Sequence, residues 1–343
     1  MKRIAAVVAG LLLAFVGTTE TYAATHTVCP SGCDYTTIQA AIDASDDGDV
    51  ISIHAGTYHE HDINPHGKAI TIQGTRNSDG SLATTIDAVQ QGSTVFDIET
   101  GETSATVIKD LAITGAVGIN GSGIYCYKNS SPTIIGCTIT GNTANKHGGG
   151  ISCASSSNPT ITGCTISGNT ASQAGGGIHC YENSNPTITG CTISGNTGHY
   201  KGGGIYCNVN SNPTITHCTI SNNTAVTGGG IYCNVNSNPI LNYTVICGNT
   251  GGQVACESGT DCYVNNGSGI SDDCGTSSVI VAMALQMQHL TEVVNNQQSA
   301  IHDLQQVVEA CCSSKCAGDH DSNGHIDVHD LLHIIATWGP CVH

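Results

Sequence analysis

Near the C-terminus, Asp319, Asp321, Asn323, Asp327 and Asp330 occupy positions 1, 3, 5, 9 and 12 of a twelve-residue stretch. Gly324 stands at position 6, where a sharp turn is needed, and Ile326 at position 8. His325, at position 7, offers its backbone carbonyl. Oxygen donors in this order wrap a hard cation, so calcium is the expected cofactor and Asp319, Asp321, Asn323, His325, Asp327 and Asp330 its expected ligands. Position 12 carries Asp, one methylene shorter than the Glu that reaches such an ion with both oxygens. An amphipathic stretch, Leu331 to Trp338, follows and is stopped by Gly339-Pro340.

A second constellation consists of rings. Tyr125, His179, Tyr206 and Tyr232 recur at one position of a regular spacing, with Ser152 in the remaining step. Rings at strand spacing can receive sugar rings, and they can equally serve to cover one another and the strand edges. They are the candidate ligand-binding face. Thr160-x-Thr162, Thr187-x-Thr189 and Thr214-x-Thr216 form a further outward array. It is similar to the face of ice-binding solenoids, although Thr is a good outward strand residue in any case. Catalytic groups are scarce. From Gly121 to Thr250 the charged residues are Lys128, Lys146, Glu182 and Lys201, and one carboxylate supplies no acid–base pair. An earlier, less regular stretch holds Arg76, Asp87, Asp97, Lys109 and Asp110. Their spacing matches no catalytic pattern, so no catalytic residue is assigned.

These side chains are positioned by an internal repeat. Gly-Ile recurs at Gly123, Gly150, Gly177, Gly204 and Gly230, in steps of 27, 27, 27 and 26 residues. Each step runs from a Gly-rich turn through Ile-x-Cys, a polar turn ending in Pro, and a Thr-Ile-rich stretch to Asn-Thr. The period is short for a propeller blade, and the β-branched content excludes helical solenoids. Alternation sends Ile178, Cys180, Ile188, Cys191 and Ile193 inward and His179 and Tyr181 outward. Three short strands per repeat, each stacked on the next copy about 4.8 Å away, make a parallel β-helix. Asn142, Asn169, Asn196, Asn223 and Asn249 then superpose at one bend, where they can bond backbone above and below. Two cysteine ladders, Cys126 to Cys233 and Cys137 to Cys218, face inward as small apolar groups.

The repeats resemble the right-handed parallel β-helix superfamily that includes pectate lyases, polygalacturonases and pectin methylesterases. In that likeness Tyr35 to Ile42 is the helix capping the solenoid, and Gly48-Asp49-Val50-Ile51 with Gly56-Thr57-Tyr58 the first coil. The resemblance covers about residues 25–275 and implies fold rather than activity. The enzymes of that superfamily need a calcium site with a basic residue, NTD, DD, GHG and RIK segments, or two carboxylates with an Arg. No NTD or RIK string occurs here, and His147-Gly148-Gly149 is the repeat's own turn. The calcium loop is similar to the EF-hand, in the dockerin variety that appends anchoring modules to secreted proteins. Dockerins carry two such loops and this chain one, which puts a cohesin-like partner in question.

The remaining features frame the whole. Residues 1–23 read as a signal peptide: Lys2 and Arg3, an apolar run, then Thr21-Tyr22-Ala23. The expected localisation is extracellular or cell-surface, with no membrane span in the mature chain. A net charge of −17, with Arg3 and Arg76 the two arginines, argues against a nucleic-acid partner. Of the 19 cysteines, Cys29 and Cys33 are expected to close a small loop and Cys316 and Cys341 to bracket the calcium unit. Cys247, Cys256, Cys262 and Cys274 belong to a stapled end cap of open connectivity. From Ile280 apolar residues fall at heptad spacing through Val308, interrupted by Gln297. This predicts a coiled-coil helix and a homo-oligomer, with a single helix lying on the solenoid as the alternative.

The expected organisation is therefore an all-β, right-handed single-stranded parallel β-helix at 24–275, a coiled-coil helix at 279–311 and an EF-hand/dockerin-like α module at 316–343. The expected function is a secreted, non-catalytic binding or structural protein whose partner is a polysaccharide or cell-surface glycan. A polysaccharide lyase or hydrolase is the alternative, and an ice-binding solenoid the second.

Overall fold

The computed structural model describes residues 23–274 except 90–92, 235 and 258–262. The signal peptide, the coiled coil, the calcium loop, Cys262, Cys316 and Cys341 lie outside the described residues. Among the described residues are 30 short strands and one helix, Ile38–Ala44 (α1). The strands stack as four parallel sheets, each strand hydrogen-bonded to its counterpart one coil away. The first sheet has ten strands, from Thr25–Val28 to Val264–Asn266, and the second nine, from Gly56–Tyr58 to Gly269–Ser271. The third has seven, from Phe96–Ile98 to Val254–Cys256. The fourth consists of Val117–Asn120, Thr143–His147, Thr170–Ala171 and Thr197–Gly198.

Register follows the sequence period. Ile134, Ile161, Ile188 and Ile215 pair in succession on the first sheet, and all four are fully buried. Burying each isoleucine contributes about 1.5–3 kcal/mol, and the stack extends this through every coil. The Gly-rich turn has a steric cause. A Cβ on Gly150, Gly177 or Gly204 would lie 2.7, 2.6 and 2.6 Å from a carbonyl oxygen of the next coil. Coils this close exclude any side chain, so the turn admits glycine alone. α1 closes the N-terminal end. Its first amides donate hydrogen bonds to the Glu60 carboxylate and the Thr37 hydroxyl, and Ile38, Ala41 and Ile42 cover the first coils.

The inward asparagines form a continuous network. Asn169 donates from its backbone N–H and from Nδ2 to Asn196 Oδ1 at 3.0 Å, and Asn196 does the same to Asn223. Asn196 Nδ2 also reaches Ile166 O at 2.8 Å. The series ends where Asn249 Nδ2 donates to Gln253 Oε1.

The two cysteine ladders differ. Cys126, Cys153, Cys180, Cys207 and Cys233 are fully buried in the apolar core. A neighbouring thiol and burial hold Cys153 and Cys207 well above the ordinary thiol range, so they stay protonated. The second ladder is hydrogen-bonded: Cys164 N donates to Cys191 Sγ and Cys191 N to Cys218 Sγ, both at 3.4 Å. In the next coil Thr244 Oγ1 takes the same place, accepting from Cys218 N at 3.3 Å. These thiols sit in the apolar core as expected and act as polar ladder groups as well.

Disulfides join Cys29 to Cys33 and Cys247 to Cys274, and Cys256 is also disulfide-bonded. Among the described residues no helix is long and apolar enough to cross a membrane.

Candidate ligand-binding site

The outward row of the third sheet runs in register through Asp97, Tyr125, Ser152, His179, Tyr206 and Tyr232. Strand alternation turns these side chains away from the coil interior, since Ile124, Cys126, Ile178 and Cys180 take the inward positions. Yet the row is not the open face that alternation suggests. His179, Tyr206 and Tyr232 are 4%, 6% and 4% exposed. The cause lies after the asparagine bend, where His147, Ala174, Lys201 and Thr227 stack as a ladder of bridges. From it, the His147 ring packs on His179 and Tyr206, with centroids 4.6 and 6.1 Å apart. Ala174 packs with Tyr206 and Tyr232, and Lys201 Nζ sits 4.5 Å over the Tyr232 ring. Lys201 also pairs with Glu257 at 2.7 Å, and Glu257 accepts from the Tyr232 hydroxyl. The C-terminal half of the row is thus sealed and fully partnered.

The N-terminal half is different. At the interruption, Ser152 and Ala154 are too small to fill the space between Tyr125 with Tyr127 on one side and His179 with Tyr181 on the other. Each pair is itself parallel, with centroids 5.5 and 5.7 Å apart. The result is a pocket of about 480 Å³, which these six residues line together with Asn120, Lys146, His147 and Glu182. Its size falls within the ordinary range for small-molecule sites.

Three of its lining residues carry buried polar atoms without hydrogen-bond partners. His179 donates to or accepts from Ser152 Oγ through Nδ1, at 3.3 Å, while its Nε2 is buried with no hydrogen bond. His147 Nδ1 and Asn120 Oδ1 are buried and unpaired as well. A buried polar atom without a partner costs about 1–3 kcal/mol, and such groups are rare in a fold whose asparagine, serine and thiol ladders are otherwise saturated. Burial holds both histidines below the ordinary imidazole range, His179 well below it, so both are neutral near pH 7. At the near end of the row, burial and then the neighbouring Glu99 and Asp62 push the Asp97 carboxyl up to about 6. Burial likewise raises the Tyr125 phenol to about 12.

The structure therefore brings Tyr125 and His179 to one pocket and removes Tyr206 and Tyr232 from any open surface. Ser152, Ala154, Asn120, His147, Tyr181 and Glu182 also belong to the site. Their one sequence signal was the break in the aromatic row at Ser152.

Arg76 and Asp110 are a structural clamp. Arg76 Nε and Nη2 hold Asp110 Oδ1 at 2.8 and 2.7 Å, Nη1 donates to Gly80 O and Nη2 to Gly136 O. With its guanidinium so engaged, Arg76 has no role open to it as a proton acceptor. Asp87 accepts from Val89 N two residues on. Cys29, Cys33 and His54 are close enough to hold a metal, but the two cysteines are spent in their disulfide. The threonine array of the first sheet is in register across Thr160, Thr187 and Thr214.

The family model described as right handed beta helix region matches residues 96–268. No curated protein matches the chain by sequence. Among solved structures, a pectin methylesterase from Aspergillus niger in deglycosylated form aligns over 74% of this chain and 87% of its own, with 16% identity and a TM-score of 0.46. A pectate lyase aligns over 74% of this chain and 80% of its own, with 12% identity and a TM-score of 0.36.

Proposed function

Since the chain belongs to the right-handed β-helix family, we propose that it is a secreted, non-catalytic glycan-binding rod whose ligand enters the pocket beside Ser152. One observation carries this reading: an aromatic-flanked pocket on the outer face, three of whose lining residues hold buried polar atoms without a partner. Rings supply flat contact area and unpaired polar atoms supply orientation, the combination by which small polar ligands are held. Against catalysis, Arg76 is consumed by its clamp, and Glu182 is the one carboxylate lining the pocket. Glu182 accepts from Ser155 Oγ at 3.0 Å and has no acidic neighbour there to share a proton with.

The test is retention and product release on a panel of neutral and acidic polysaccharides. Retention without new reducing ends or unsaturated products is expected. Release of product would replace this reading with the lyase or hydrolase one.

The reading extends to the C-terminus. Asp319, Asp321, Asn323, His325, Asp327 and Asp330 would hold calcium in a module that anchors the rod, and the heptads of 279–311 would join copies of it. Several rods on one assembly would multiply weak single-site binding by raising effective concentration. Calcium titration of the full chain by calorimetry, against Asp319→Ala with Asp327→Ala, checks the loop. Stoichiometric binding that disappears in the double variant is expected.

A further inference from the structure

We infer that the pocket over Ser152 and Ala154 is a subsite for one neutral, hydroxyl-rich pyranose ring at the end or branch of a glycan. The inference rests on the glycan-binding reading and narrows it to a ligand class.

The first argument is spatial. One missing step in the row separates the flanking coils by two strand spacings, about 9.6 Å. A ring in contact on both sides needs about 7–8 Å between the groups that hold it. An unbroken row leaves no such room. Nor does the groove continue along the axis: Tyr206 and Tyr232 are sealed beneath Ala174 and Lys201. A polysaccharide running along the coils therefore finds no channel, whereas a single terminal or branching ring finds a pocket closed on that side.

The second argument is the polarity of the unpaired atoms. Burial keeps His147 neutral, and its Nδ1 is buried without a partner. A neutral imidazole carries one bare acceptor nitrogen, and Asn120 Oδ1 is an acceptor by nature. Glu182 adds a carboxylate to the same wall. A pocket with surplus acceptors asks for donors. A neutral sugar ring brings a hydroxyl hydrogen on nearly every carbon, whereas a uronate or phosphate group brings further acceptors and negative charge to a chain of net charge −17. Among the described lining residues Lys146 is the one formal cation, and it is exposed rather than set into the floor.

The test uses the full chain and calorimetric titration with the methyl glycosides of glucose, galactose and mannose, each against its methyl uronoside. At least one neutral glycoside should bind at least about tenfold more tightly than its uronoside. Ser152→Tyr, which makes the row continuous, should abolish that binding. His147→Phe, which keeps the ring and removes the acceptor, should weaken it about tenfold. His147→Phe also carries the test if Ser152→Tyr does not fold, as judged by circular dichroism. Uronosides binding as well as neutral glycosides, or binding unchanged in His147→Phe, would overturn the inference. So would polysaccharide retention that persists in folded Ser152→Tyr, which leaves the broader glycan-binding reading standing. Absence of retention by the unaltered chain on every polysaccharide would end both.

Discussion

Asn196 and His179 belong to the same coil and are both buried, yet their hydrogen-bonding groups meet different fates. Asn196 spends every group it has: Oδ1 accepts twice from Asn169, and Nδ2 donates to Ile166 O and to Asn223. His179 spends one ring nitrogen on Ser152 and leaves the other unpaired. The inner ladder is a finished structure, because each coil supplies the partner that the previous one requires. The outer row breaks this rule where Ser152 replaces a ring, and the unpaired groups collect around that break. In a solenoid whose repeats satisfy one another, the place where the ladder fails to saturate itself is where a ligand has something to contribute.

Breaking the saturated side should have the largest effect. Asn196→Ala leaves the Asn169 backbone N–H without its partner and removes one donor from Ile166 O inside the stack, and a loss of about 2–4 kcal/mol is expected from urea unfolding. Asn185→Ala, in the exposed outer asparagine series where Asn212 N donates to Asn185 Oδ1, should cost less than about 1 kcal/mol. Equal losses would mean that burial does not separate the two ladders.

The cysteine ladders sharpen the same contrast. Cys180→Ser places a hydroxyl in an apolar stack and should cost about 1–3 kcal/mol. Cys191→Ser enters a position where Thr244 already performs the task with an oxygen, so a change within about 1 kcal/mol is expected. Reversal of that order would contradict the polar role given to the second ladder.

On the outer row, pH supplies the probe. Asp97 holds its proton up to about pH 6 in the folded chain, whereas the unfolded carboxyl releases it near 3.8. The folded state binds more protons between these values, so this group's contribution is present at low pH and lost as pH rises through 6. Partial exposure reduces the effect to about 1–2 kcal/mol. Asp97→Asn should remove that decline from a plot of unfolding free energy against pH. His179 works with opposite sign: its neutral form is the folded one, so its contribution is lost as pH falls below about 6.5. The smallest effect is expected from chelation. EDTA should leave the unfolding midpoint of the β-helix within about a degree, because no described residue set there carries the oxygen donors of a calcium site.

Much of this was legible in the amino-acid order. Steps of 27 residues placed like residues over like, alternation separated Ile178 and Cys180 from His179, and the recurring asparagines marked the bend they stabilise. Alternation states which side of a strand a residue faces. It does not state what lies against that side, and so Tyr206 and Tyr232 read as an open face. The residues that cover them, Ala174 and Lys201, come from the segment after the asparagine bend of an earlier coil, a pairing that periodicity alone does not reveal.

The sequence by itself determined the coil, its register and its saturated interior, because neighbouring repeats are nearly identical and stacking copies on copies leaves one consistent arrangement. It also carries the ordered run of Asp and Asn at 319–330 from which a calcium loop is expected, a local pattern. Tertiary structure alone decided that the break at Ser152 is a pocket rather than a flaw in the row. A pocket is defined by what surrounds an absence, and here the surroundings come from residues 120, 125, 147, 179 and 182, brought together only when the coils stack.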